Sequence, residues 1–118
     1  MSASIRFDNE KQVVRQVCER LLRWGYSLGN VSDGEELMGA TATKNATMTE
    51  IVEWSSCAES GQILFYAPHT GKRCSLILIY GNSPQEVVAD LSAQDEDTLT
   101  VFTEHVDSAL ELTGILGN

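Results

Sequence analysis

Two apolar segments joined by a short turn constrain the fold of this chain more than any other feature. Residues 62–67 and 73–80 are dense in Ile, Leu, Phe and Tyr, and the linker 68–72, PHTGK, has turn-forming residues. This pattern predicts an antiparallel hairpin. In the second segment Leu78 points to one side of the strand and Ile77 to the other, so both sides are apolar. Such a strand is typical of the centre of a sheet that is covered on both faces.

The length and composition are those of one folded domain. A chain of 118 residues with 42% hydrophobic residues can bury a core without disulfides or metals. Cys18, Cys57 and Cys74 share no C-x-x-C spacing and are typical of reduced thiols. No segment is apolar enough for a membrane span, and the first residues lack the apolar stretch of a signal peptide. We therefore expect a cytoplasmic protein that does not contact a membrane.

Three segments have the apolar spacing of amphipathic helices. The first is predicted at Asn9–Trp24, with Gly25 as its end. The second opens at Thr47 with a capping box, and Gly61 is predicted to stop it. The third is predicted at Asp95–Gly114, with acidic residues in its first turn, where the helix dipole favours them.

The remaining segments predict strands. A weak strand at 26–31 is interrupted by Gly-Asn, and residues 37–46 could hold another short strand or a loop. In 83–91, Ser-Pro-Gln-Glu is typical of a helix start, whereas Val-Val favours the strand that we predict. The order α-β-α-β-β-β-α predicts a single α+β domain over 1–118. We expect a two-layer sandwich, in which an antiparallel sheet of about four strands has helices mainly on one face.

Helices on one face would leave the other face of this sheet uncovered. That face would expose Ile77, Ile79 and residues of 62–67, with Val88 as a further candidate. An exposed apolar face of this kind marks an interaction site. Because most oligomers are symmetric assemblies of one chain, we expect a homodimer formed through the sheet.

The charges are unevenly distributed along the chain. The formal net charge is −9, all eight Lys and Arg residues lie at or before Arg73, and eight acids follow it. This distribution argues against direct nucleic-acid binding, which requires clustered basic residues. It is compatible with a basic protein partner.

A row of carboxylates is predicted on the last helix. Glu104, Asp107 and Glu111 recur at i, i+3 and i+7 and therefore share a helix face. Such a row can imitate nucleic-acid phosphates, which makes an acidic inhibitor of a basic protein one hypothesis. The row could equally pair with the basic side of the first helix if the two helices lie side by side.

The sequence contains no pattern of catalytic, cofactor or metal-binding residues. His69 and His105 have no second ligand at a metal-binding interval, and we expect both to lie at the surface. Thr-Gly-Lys at 70–72 lacks the upstream glycine of a phosphate loop. The acidic segment 33–36, DGEE, lacks the alternating ligands of a calcium loop and is typical of an exposed turn. We therefore expect no cofactor, no metal and no enzymatic activity.

One small-ligand pocket can be proposed, formed by Tyr80, Asn82 and Asp90. In a strand at 86–91, Asp90 shares its face with Val88. A carboxylate beside an apolar residue must stay hydrated, accept hydrogen bonds or shift its pKa. The pocket requires that the three side chains converge. The alternative is that Asp90 marks a sheet edge and discourages aggregation.

Several short motifs resemble those of one group of proteins. The stretches IYGN at 79–82 and VVAD at 87–90, with the Gly-Tyr at 25–26 and DGEE at 33–36, resemble small uncharacterised proteins of phages, prophages and mobile gene cassettes. The likeness covers roughly residues 9–92, and the Ser-Pro-Gln at 83–85 departs from that group's Asp-Gly turn. The resemblance implies an α+β fold and a mobile-element origin, and it supplies no activity. Together these features predict a small acidic module that acts by binding.

Overall fold

The computed structural model describes residues 8–32, 37–38, 48–55, 60–81 and 86–112. Within these ranges the chain forms three helices and five strands. The helices are α1 (Asp8–Arg23), α2 (Met48–Ser55) and α3 (Glu96–Leu112). The strands are β1 (Ser27–Ser32), β2 (Leu37–Met38), β3 (Ser60–Tyr66), β4 (Arg73–Ile79) and β5 (Val88–Ala93).

The strands form one antiparallel sheet in the order β2-β1-β3-β4-β5. The predicted α+β class and the predicted element order are confirmed, with β2 as a two-residue addition inside the segment at 37–46. β4 is hydrogen-bonded to β3 on one side and to β5 on the other. The predicted hairpin therefore lies inside the sheet, and β5 forms an edge.

The described helices lie on one face of the sheet, where the core forms. α2 packs against β1 and β3, α3 packs against β4 and β5, and α1 lies against both helices. The side chains at the centre of this layer are almost completely buried because helix stripes and alternate strand positions meet there. They include Val14, Val17, Leu21, Ile63, Phe65, Leu76, Leu78, Phe102 and Val106.

The end of α1 and the start of α3 follow the predicted signals, and the predicted end of α3 at Gly114 lies outside the described residues. Gly25 has a φ of 102°, and the amide of Tyr26 donates to the carbonyl of Leu21, as expected for a glycine that ends a helix. Asp95 is the N-cap of α3, since its Oδ1 accepts the Thr98 amide at 2.8 Å. The helix itself begins one residue later than predicted.

Gly61 does not stop α2, contrary to the prediction. α2 ends at Ser55, and Gly61 lies inside β3. A Cβ at this position would lie 2.1 Å from the Ser55 carbonyl oxygen, so glycine is required for the close approach of helix and strand. The capping box at Thr47 lies outside the described residues.

The prediction that Val88 and Asp90 share a face is wrong, although the strand itself is present. β5 pairs Val88 with Leu78 but Asp90 with Ile77, which leaves Ala89 as an extra residue at a bulge. The bulge returns Val88 to the helix side, where it packs against the core. Asp90 points to the opposite face, together with Ile77.

Candidate functional site

The face of the sheet opposite the helices, called the open face below, carries apolar side chains that no described helix covers. Leu64, Tyr66 and Ile77 are half-buried, and Ile79 is 41% exposed. In the register of β3 and β4, Leu64 lies diagonally across from Ile77, because Leu64 pairs with Ser75. Tyr66 and Ile79 continue this diagonal band along β3 and β4, and each apolar residue lies directly opposite a polar one. The predicted apolar open face therefore forms, except for Val88.

A glycine of β1 brings two of these side chains close to the sheet. A Cβ at Gly29 would lie 2.9 Å from a ring atom of Tyr66 and 3.1 Å from Leu64. Both side chains therefore lie across the β1 backbone, and β1 leaves its regular register with β3 at this point. The predicted interruption of the first strand thus shapes the open face.

The open face also contains a shallow depression of about 310 Å³. Its lining includes the polar side chains of Gln62, Arg73, Ser75, Ser92 and Gln94. Ser75 is only 5% exposed, and among the described residues its hydroxyl has no hydrogen-bond partner. Sequence reasoning did not single out these residues, although the alternation Arg73-x-Ser75-x-Ile77 along β4 places them on one face.

The strands carry only two charged residues within the described part of the chain, Arg73 and Asp90. Both are exposed, and both lie on the open face by the register of β4. Neither forms an ion pair with a described residue. The strands therefore add no net charge to a chain whose formal charge is −9.

Asp90 lies on the edge strand β5, and its carboxylate accepts a hydrogen bond from a backbone amide of the same strand. Its Oδ1 accepts the Leu91 amide at 2.8 Å. The backbone amide of Gln94 donates to the carbonyl of Arg73 and therefore points toward β4. Backbone amides alternate in direction along an antiparallel strand, and Leu91 lies three residues before Gln94, so the Leu91 amide points away from β4. The Leu91 amide is thus already hydrogen-bonded and is not free to pair with a strand of another chain. This agrees with a role of Asp90 in preventing aggregation through the sheet edge.

The three side chains of the predicted ligand pocket do not come together. Tyr80 is 2% exposed on the helix side, where its hydroxyl lies 3.0 Å from the hydroxyl of Ser55. Burial raises the pKa of Tyr80 above its ordinary value. Asp90 is exposed on the open face, and Asn82 lies outside the described residues. Tyr80 and Asp90 therefore cannot line one cavity, because the sheet separates them.

The end of β4 contacts α1 through a buried carboxylate. Glu10 is 8% exposed, and its Oε2 accepts the amide of Gly81 at 2.7 Å. Gly81 has a φ of 105°, a conformation that favours glycine. The Tyr-Gly pair at 80–81 thus anchors the end of the central strand to both α1 and α2.

The acidic row on α3 is exposed and does not pair with α1. Glu104, Asp107 and Glu111 form no ion pair with a described residue. Among the basic residues of α1, Lys11 pairs with Glu53 at 2.8 Å and Arg15 pairs with Glu19 at 3.1 Å. The helices do pack side by side, but within the described residues the row stays available to solvent.

The remaining candidate groups have structural roles. His105 is half-buried rather than at the surface, with Nδ1 2.7 Å from the Tyr26 hydroxyl and its ring against Trp24. Burial raises the pKa of Cys18 to about 12 and that of Cys74 to about 11, so both thiols are poor nucleophiles. Within the described ranges no cluster of three or more acidic, His or Cys side chains could hold a metal ion.

Comparison with known proteins gives no family and no relative. The chain matches no family model, and no curated protein or solved structure is significantly similar to it. None of the described helices has the length and apolar character needed to cross a membrane. The functional argument therefore starts from the open face and from the exposed acidic side of α3.

Proposed function

We propose that this protein is a small, cytoplasmic, non-enzymatic binding module of mobile-element origin that self-associates through its open face. The observation that carries the proposal is the apolar group Leu64, Tyr66, Ile77 and Ile79 on the face opposite the helices. Burying such side chains removes apolar area from water and favours association. The resemblance of the short motifs supports only the origin.

Charge explains why self-association would use this face. Two copies of a chain with a formal charge of −9 repel each other over most of their surface. The strands carry one positive and one negative side chain, Arg73 and Asp90, so their formal contribution is 1 − 1 = 0. A second copy therefore meets little net charge on the strands of the open face, where it can also bury apolar side chains.

Light scattering at several concentrations tests this proposal with two matched variants. Ile79→Lys places a charge on the open face, whereas Val101→Lys makes the same charge change at a 49%-exposed position on α3. We expect the wild type and Val101→Lys to have twice the mass of one chain, and Ile79→Lys to be monomeric. A wild type that stays monomeric up to high micromolar concentration contradicts the proposal.

A second candidate function is inhibition of a basic protein through α3, and one observation favours it. Glu96, Asp97, Glu104, Asp107 and Glu111 are exposed and fall within an arc of about 100° around the helix, given 3.6 residues per turn. They extend over about 22 Å of helix, at about 1.5 Å per residue. α3 contains no Lys or Arg, and no described residue forms an ion pair with these carboxylates.

Capture from the native host tests the inhibitor hypothesis. A basic protein should bind the wild type, dissociate as salt increases, and be displaced by double-stranded DNA, because phosphates would compete for the same surface. Neutralising the row with Glu104→Gln, Asp107→Asn and Glu111→Gln should abolish capture. If that triple variant and the wild type retain the same proteins, α3 is not the binding surface.

A further inference from the structure

Among the described strand residues, the open face holds one cation and one anion that do not pair with each other within one chain. Asp90 pairs with Ile77, and Arg73 lies four residues before Ile77 on β4. At about 3.3 Å per residue this places their backbones about 13 Å apart along the strand direction, and no ion pair forms between the two side chains. Each therefore points from the open face without an ionic partner among the described residues.

We propose that, in the homodimer, Arg73 of each protomer pairs with Asp90 of the other. This inference rests on the proposed self-association and assigns its register. In an isologous interface every contact occurs twice, so a cation and an anion on one face make two equivalent pairs. Both charges of the open face are then neutralised, and neither is left unpaired in the interface.

The surroundings of Arg73 suit a carboxylate. The depression beside it is lined with donor groups, namely the hydroxyls of Ser75 and Ser92 and the amides of Gln62 and Gln94. The Ser75 hydroxyl is almost completely buried and has no described partner, which is costly for a polar group unless a ligand supplies one. An incoming carboxylate would accept hydrogen bonds from both the guanidinium and a hydroxyl.

The middle of the face allows the close approach that this register needs. The midpoint between Arg73 and Asp90 lies near the paired residues Ser75 and Ser92. The two-fold axis would pass there, where small side chains from both protomers face each other. The larger apolar side chains, Leu64 and Ile77, flank this point and would be buried on either side.

Charge reversal with mixing tests the register. Arg73→Glu alone and Asp90→Lys alone each create two like-charge contacts per homodimer, and each should raise the dimer dissociation constant at least about tenfold. Mixing the two variants should restore the dimer as a heterodimer, because it pairs Glu with Lys once and Asp90 with Arg73 once. The double variant Arg73→Glu/Asp90→Lys should also dimerise by itself.

Controls separate this inference from the proposed function. Arg23→Glu makes the same charge change on α1, where Arg23 is exposed, and should leave dimerisation within about threefold of the wild type. If the wild type dimerises but neither charge reversal weakens the dimer, the proposed register is wrong. The same holds if mixing the two variants does not restore the dimer. Neither result contradicts dimerisation through the open face. If the wild type is monomeric by sedimentation equilibrium, both proposals fail. Circular dichroism of each variant confirms that it is folded.

Discussion

The two faces of the same sheet place neighbouring residues in very different surroundings. On β4, Leu76 and Leu78 are completely buried beneath the helices, whereas Ile79 is 41% exposed on the open face. All three are apolar and lie within four consecutive positions, so hydrophobicity alone does not distinguish them. The helix-side residues therefore stabilise the single chain, whereas the open-face residues are available to stabilise an assembly. Three pairs of variants test this difference, in order of decreasing effect, and a fourth pair tests a weaker link at the surface.

Two glycines of the sheet, Gly61 on the helix side and Gly29 on the open face, should respond very differently to alanine. Gly61→Ala puts a Cβ 2.1 Å from the Ser55 carbonyl, and the backbone of α2 would have to move. We expect a loss of more than about 3 kcal/mol in the free energy of unfolding, since overpacking against backbone is poorly relieved. Gly29→Ala meets only the side chains of Tyr66 and Leu64, which can rotate, and should cost about 1 kcal/mol. Urea unfolding measures both, and equal losses would contradict this account.

Truncation of adjacent residues on β4 should separate core from surface. Leu78→Ala removes a completely buried side chain and should cost about 3 kcal/mol. Ile79→Ala should cost less than about 1 kcal/mol when measured at a dilution where the chain is monomeric. At higher concentration the cost of Ile79→Ala should increase, because association stabilises the folded state by mass action. A cost independent of concentration would argue against burial of Ile79 in a dimer.

The two tyrosines at the ends of strands should differ by one hydrogen bond. The Ser55 hydroxyl donates to the Val52 carbonyl at 2.8 Å, so Tyr80 must donate to Ser55. Tyr80→Phe should therefore cost about 1 kcal/mol, because Ser55 loses a buried donor. Tyr66→Phe, on the open face, should have little effect on the monomer. Thermal unfolding of both variants measures this difference. A Tyr80→Phe variant as stable as the wild type would contradict a stabilising hydrogen bond from Tyr80 to Ser55.

The smallest effect concerns a surface link between the hairpin and α3. The pKa of Asp95 is lowered to about 2, first by its hydrogen bond from Lys72 and then by those from the side chain and the amide of Thr98. A lowered pKa stabilises the fold above the ordinary carboxyl value near 4 and loses this contribution as pH falls toward 2. The wild type should thus exceed Asp95→Asn in stability at pH 5, and the difference should shrink by pH 2. Asp107→Asn also removes one exposed carboxylate of α3 and is the matched control for the change in net charge.

Sequence periodicity was sufficient for the fold but not for the details of the site. Alternation in 73–80 predicted the central strand and its two apolar sides, because side-chain direction in a strand has a period of two. The bulge at Ala89 broke that period, so the shared face of Val88 and Asp90 was predicted wrongly. The role of Gly61 depends on a helix that approaches from elsewhere in the chain, and no local pattern contains that information.

The candidate site shows the same limit. The acidic row on α3 was predicted because its spacing is local to one helix. The proposed pocket failed because Tyr80 and Asp90 belong to opposite faces, a relation that depends on strand register. The juxtaposition of Arg73 with Ser75 and Ser92 joins two strands across the β4–β5 pair, and only the folded sheet reveals it.

Oxidative footprinting of side chains at low and high protein concentration shows which surface is buried when the chain self-associates. Tyr66, Leu64 and Ile79 should become protected as the chain associates. Val101 and Leu112, exposed on α3, should be labelled equally at both concentrations. Protection of the α3 residues instead, or a doubling of mass with no change at Tyr66 and Ile79, would contradict an interface through the open face.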